Sequence, residues 1–219
     1  MIDLVQKTAD LLKSTNRKMM IGISGHGAAG KSTFTHQLMN HLPQDEVNYV
    51  NTDPYIIGSS LRQYTTLNYL HQNIEHQSKV TACHPAAHNV FALERDIKML
   101  RDGLDLYTIG TDYMESVLLS LRKITIIEGM TTAFVDPELF DLTLFFYTDG
   151  ETELVRRGIR DVTERGADLS YLQQSHEQRR MQYDLFMHPY RANFDIVIKN
   201  SNDHYSLEKG IEKLNTQKP

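Results

Sequence analysis

Residues 25–32, Gly25-His26-Gly27-Ala28-Ala29-Gly30-Lys31-Ser32, satisfy the spacing G-x-x-x-x-G-K-[ST] and follow directly on the apolar run 19–24. A short apolar run of this kind reads as a buried strand. Strand, glycine-rich turn and helix in succession form the arrangement that cradles phosphate oxygens. Backbone N–H groups can close round a phosphate only where no Cβ intrudes, and the helix that follows adds the positive end of its dipole. The run predicts a nucleoside triphosphate site held by Gly25, Gly27, Ala28, Ala29, Gly30, Lys31, Ser32 and Thr33. Lys31 reaches the β and γ phosphates in such a site, and the Ser32 hydroxyl faces magnesium.

Further strands are predicted at 47–52, 123–127, 142–147 and 195–198, alternating with helical segments, and helix-spaced leucines predict a helix over 3–14. Few charges fall inside the strands. The pattern predicts an α/β P-loop fold, a doubly wound parallel sheet of about five strands flanked by helices. Ligands in such sheets lie beyond the carboxyl ends of the strands, where this chain places Ser24, Asp53, Glu128 and Asp149. Residues 54–122 are longer than a crossover needs and are expected to be a substrate-binding insertion within one domain, 1–219. Inside it, Phe91, Leu93, Ile97 and Leu100 are expected core contacts of a helix stopped at Asp102-Gly103.

The bulk properties narrow the classes. A chain of 219 residues supports one sizeable core. A net charge of −5 argues against a nucleic-acid partner, and no apolar run is long enough to span a bilayer. The first residues lack a secretory layout and Cys83 is the single cysteine, so a cytoplasmic protein is expected. Composition leaves a homo-oligomer open.

Phosphoryl transfer requires a held triphosphate, neutralised charge and an aimed acceptor oxygen. Asp53, followed by Pro54, is positioned to take the proton of an acceptor hydroxyl and to turn its other lone pairs to magnesium. The same Asp-Pro pair also suits a helix cap. Glu128 ends the strand 123–127 and is the expected holder of the magnesium hydration shell. Arg156 and Arg160 share one helix face, suited to clamping phosphate, with Arg157 between them. Taken alone, this run reads as a solvated face with Arg157 paired to Asp161. His84 and His88 are separated by Pro85 and lack a third matched ligand, which makes a poor zinc site.

Together, 21–33, Asp53, His84-Pro85, Ile127-Glu128-Gly129, Arg156-Arg157 through Arg160-Asp161 to Glu164-Arg165-Gly166, and Pro189 through Phe194-Asp195-Ile196 resemble the uridine kinase/phosphoribulokinase-like P-loop kinases in order and spacing. The likeness spans 21–198. It implies ATP as donor and Mg2+ bound by Ser32, Asp53 and Glu128. It implies catalytic roles for Asp53 as base, Lys31 and Arg160, and donor contacts from Arg156, Arg157 and Arg160 on a helical lid over 150–170. It also implies an acceptor site that includes Asp53, Tyr55, His84 and Tyr107. The chain departs from the family where a nucleoside is read: Cys83 stands where an Asp usually precedes His-Pro, and Thr108, Ile109 and Asp112 replace the expected Asp, Phe and His.

The expected activity is transfer of the γ-phosphate of ATP to a hydroxyl of a small metabolite, a nucleoside first and a sugar or pantothenate-like alcohol next. The competing class is a regulatory nucleotide-binding ATPase without acceptor chemistry. No Asn-Lys-x-Asp for guanine and no Leu-Ser-Gly-Gly-Gln stretch occurs.

Overall fold

The central strand is β1, Met19–Gly25, every residue of which is buried. On one side it pairs in parallel with β7, Ile124–Glu128, which in turn pairs with β2, Val47–Asn51. On the other it pairs with β8, Leu142–Tyr147, and β8 with β9, Ile196–Ser201, again in parallel. In this computed structural model the described residues are 2–165, 169–202 and 204–215.

All five predicted strands form, and the sheet has six. The sixth, β10 over His204–Lys209, runs antiparallel on the outer edge of β9, giving the order β10-β9-β8-β1-β7-β2. Its residues are half-buried or exposed, so no apolar run marked it in the sequence.

Period-two alternation explains how both sheet faces become core. Ile21, Ile23, Ile124, Ile126, Leu144 and Phe146 turn to one face, where helix α1 (Ile2–Ser14) contributes Val5, Ala9 and Leu12, and α2 (Lys31–Asn40) contributes Phe34 and Leu38. Met20, Val50 and Ile127 turn to the other, against Leu93, Ile97 and Leu100 of α4 (Val90–Arg101). Phe91, expected in that core, is 87% exposed. It lies two residues before Leu93, about 200° round the helix from the buried stripe.

Between β2 and β7 the chain adds α3 (Ser59–Arg62), the hairpin of β3 (Thr66–His71) and β4 (Ile74–Lys79), α4, and a short hairpin of β5 (Leu106–Tyr107) and β6 (Leu118–Leu119). After β8 come α5 (Gly150–Arg165) and α6 (Leu169–Phe186), and α7 (Ile211–Asn215) follows β10. Gly166 and its neighbours 167–168, within the expected lid, and the side chains of 161–169, including Asp161 as the expected partner of Arg157, lie outside the described residues. Among the described residues no helix is long and apolar enough to cross a membrane.

Candidate active site

The loop from His26 to Gly30 leaves the end of β1 and delivers the chain into α2 at Lys31. Gly30 caps the helix at φ +96°, and a Cβ there would collide with the Asn200 side chain. Both reasons require glycine. Asn200, near the end of β9, donates from Nδ2 to the Ala29 carbonyl at 2.9 Å. Its Oδ1 and its backbone carbonyl each accept from Arg156 at 3.1 Å. The loop is therefore fixed from the β9 side, and α5 is tied to it.

His26 is sealed inside the loop. Its Nε2 accepts from the Thr148 N–H at 3.0 Å, so Nδ1 carries the proton and donates to the Gly27 carbonyl at 2.8 Å. Burial is the main cause that holds its pKa down at about 4. Beneath it Glu153 pairs with Arg180 at 3.0 Å and Arg157 at 3.9 Å.

Lys31 Nζ donates to the His26 carbonyl at 3.1 Å and stands 3.9 Å from Glu128 Oε1. Ser32 Oγ donates at 3.3 Å to both oxygens of Glu128. Tyr49, on β2, donates to Glu128 Oε2 at 2.9 Å. The carboxylate emerges where β7 gives way to Gly129, whose φ of +146° and contact with Thr52 Oγ1 admit no side chain. Asp53 starts a 3-10 turn, Asp53–Tyr55, just past β2, with its N–H held by Asn51 Oδ1 at 2.8 Å. A hydroxyl and two separate carboxylates are hard oxygen donors. They suit a magnesium ion that keeps much of its water and phosphate coordination. Among the described residues no three His, Cys, Asp or Glu groups close round a metal.

Two clefts meet at this corner. One, of about 400 Å³, runs between the loop and β9–β10 and is lined by Ala28, Gly30, Thr33, Arg156, Asn200 and Tyr205. The other, of about 390 Å³, lies on the β2 and β7 side and is lined by Asp53, Ile56, Arg62, Tyr113, Glu128 and Arg179. Lys31, Ser32 and Arg160 line both.

The sequence profile of the Phosphoribulokinase / Uridine kinase family matches residues 20–205. The chain belongs to this family. It is thus an ATP-dependent phosphotransferase acting on an alcohol group. Uridine kinases of Bacillus cytotoxicus and Bacillus anthracis are each 26% identical to the kinase over 213 residues, covering 92% of this chain and 95% of theirs. The solved phosphoribulokinase of Rhodobacter spheroides superposes with a TM-score of 0.56 at 14% identity, covering 85% of this chain and 71% of that one, a likeness of fold.

The predicted site residues of the kinase do not all reach the clefts. Lys31, Ser32, Asp53, Glu128 and Arg160 converge on one corner, and Arg156 flanks it. Gly25 and Ala29 are buried beneath the loop, Ala29 with its methyl in the core, so any contact of theirs with phosphate is through backbone. Arg157 lines neither cleft. One step round the helix from Arg156, it is buried against Glu153 between α5 and α6.

Tyr55 corrects an expectation. It is 2% exposed, and its hydroxyl donates to Asp96 Oδ2 at 2.5 Å inside the α4 core, because the tight turn that presents Asp53 sends the ring inward. His84 caps the 3-10 turn Pro85–Ala87, accepting from the Ala86 N–H at 3.1 Å, with its ring against Phe186. Tyr107 is exposed on the β5–β6 hairpin. Neither lines the Asp53 cleft.

Sequence reasoning missed Arg62, Arg179, Asn200 and Tyr205. Asn200 follows an apolar strand run, a signal that was readable. Arg179 sits in a charge-rich helix with nothing local to single it out.

Proposed function

We propose that the kinase binds ATP with its phosphates on the 25–33 loop and its nucleoside part in the β9–β10 cleft, and transfers the γ-phosphate to an alcohol bound in the Asp53 cleft. The observation that carries this reading is the meeting of two clefts at Lys31, Ser32 and Arg160, with a carboxylate from Asp53 opening on the second only. Asp53 takes the proton from the acceptor hydroxyl as its oxygen attacks the γ-phosphorus, and the leaving group departs as ADP. Lys31 and Arg160 balance the charge that spreads over the phosphate oxygens. Ser32, Glu128 and Asp53 would hold magnesium, which supplies Lewis-acid neutralisation of the phosphates. Helix α5, carrying Arg156 and Arg160, acts as the lid. The stretch 54–122 is the acceptor-binding insertion, since Ile56, Ile57, Arg62, Ala82 and Tyr113 wall the cleft. The reaction is assigned to the cytosol, where Cys83 stays a thiol.

The relatives named uridine kinase put a nucleoside first among acceptors. A non-nucleoside alcohol is the second reading, favoured by Cys83, 2% exposed and packed among Phe145, Tyr183 and Phe194. No carboxylate stands at that position to grip ribose hydroxyls. Burial pushes the Cys83 thiol pKa up, so it remains neutral. ADP formation from Mg·ATP over a panel of nucleosides, sugars and hydroxy acids, with a no-acceptor control, tests both. Acceleration by one class supports the kinase reading and names the acceptor. A flat panel over intact ATP binding supports a regulatory ATPase instead.

A further inference from the structure

The Asp53 cleft is lined by four cationic side chains, Lys31, Arg62, Arg160 and Arg179, and by two acidic ones, Asp53 and Glu128. The two acids face the magnesium corner and the acceptor proton. Lys31 and Arg160 also line the donor cleft, which leaves Arg62 and Arg179 as charges that belong to the Asp53 cleft alone.

Arg62 is anchored by backbone. Its Nε donates to the Ile57 carbonyl at 2.7 Å and its NH1 to the Val80 carbonyl at 3.0 Å. Arg179 is held differently. It enters from α6 and rests against the phosphate loop, its NH2 3.9 Å from where a side chain on Gly27 would begin. Its Nε is shut off from solvent and has no hydrogen-bond partner among the described residues. Glu153, a buried acid that the Arg179 charge helps to keep ionised, is already paired with Arg180 and Arg157.

A charged guanidinium with one nitrogen sealed and unpartnered is left short of acceptors, and the donors it has to offer are those that line the cleft. A planar carboxylate or a phosphate takes two parallel N–H donors from the edge of the guanidinium that lines the cleft, the sealed Nε being out of its reach, and a neutral hydroxyl cannot balance the charge. We infer that Arg179 binds an acidic group on the acceptor, so that the alcohol this kinase phosphorylates carries a carboxylate or a phosphate ester. The inference rests on the assignment of the Asp53 cleft to the acceptor.

The test is isothermal titration of the full chain saturated with AMP-PNP and magnesium, using matched probes: glycerate against glycerol, ribose 5-phosphate against ribose, and uridine as the neutral nucleoside. The acidic member of at least one pair is expected to bind about tenfold or more tightly than its neutral partner and than uridine. The responding pair tells carboxylate from phosphate. In Arg179→Met this preference is expected to vanish while AMP-PNP affinity, which also reports a folded loop, stays unchanged. Arg179→Lys, which keeps the charge without the fork, is expected to retain only part of the preference and serves where the Met variant fails to fold. Neutral probes binding as tightly as acidic ones, an undiminished preference in the variants, or no binding by any probe would each overturn the inference. Weakened AMP-PNP binding in a folded Arg179→Met would do the same by placing the guanidinium on the triphosphate. Failure of the wild-type chain to bind AMP-PNP would instead sink the proposed function itself.

Discussion

The phenol of Tyr49 donates a 2.9 Å hydrogen bond to Oε2 of Glu128, the carboxylate that also accepts from Ser32 at 3.3 Å. Strand β2 thereby aims an acid that belongs to β7. Burial, then the neighbouring Glu128 charge, pushes the Tyr49 pKa well above the ordinary tyrosine value, so it donates at every working pH.

Removing that hydroxyl leaves the ring and takes away the alignment. Tyr49→Phe is expected to raise the magnesium concentration needed for half-maximal ADP formation by about tenfold, the equivalent of one hydrogen bond to a charged group. A magnesium titration at saturating ATP checks this. An unchanged midpoint would remove Tyr49 from the positioning role.

Asp53→Asn keeps the size of the side chain and loses its basicity. Turnover is expected to fall by about 10²–10⁴-fold, the usual contribution of a general base. AMP-PNP binding, measured by titration calorimetry, is expected to survive.

Arg156 and Arg157 are neighbours in sequence with separate tasks. Arg156→Met is expected to raise the KM for ATP, because its side chain lines the β9–β10 cleft proposed to take the nucleotide and braces Asn200. Arg157→Met is expected to leave that KM alone and to lower stability by about 1–3 kcal/mol, since it removes a buried partner of Glu153. Urea unfolding and steady-state kinetics on both variants separate the two effects.

Acid is expected to destabilise the fold well before carboxylates titrate. His26 and His88 are held near pKa 4 chiefly by burial, against 6.5 when exposed. Between those values the unfolded chain binds protons that the folded chain refuses. Stability therefore falls as pH drops from about 6.5 to about 4, each histidine contributing up to about 1.4 kcal/mol per pH unit. Unfolding free energies from urea titrations at pH 7 and pH 5 measure this. Equal values would mean that both rings charge within the fold, and half the expected loss that one of them does.

The legible part of this protein was its apolar skeleton and the groups hung on its ends. The five parallel strands announced themselves as short runs rich in apolar residues and poor in charge, as in Ile124–Glu128, where Ile124, Ile126 and Ile127 carry the signal. Asp53 and Glu128 were readable because they terminate or directly follow such runs, and Lys31 and Ser32 because they close the G-x-x-x-x-G-K-[ST] spacing. The hairpin of β3 and β4 was not. β3 offers only the short alternation Thr66-Leu67-Asn68-Tyr69 before Leu70 and His71 blur it, and β4 buries only Ser78. Tyr55 misled because the family resemblance implied it in the acceptor site with Asp53, whereas a 3-10 turn separates their directions within two residues. Arg179 could be found only once α6 was laid against the phosphate loop.

The Asn200 side chain joins three distant stretches: it holds the Ala29 carbonyl, receives Arg156, and occupies the space that a side chain at Gly30 would need. Positions 30, 156 and 200 are consequently coupled. Replacing Asn200 would leave the arginine its bond to the backbone carbonyl there but take away the one to the side chain, and would lift one of the two bars to a larger residue at 30 while the positive φ still demands glycine.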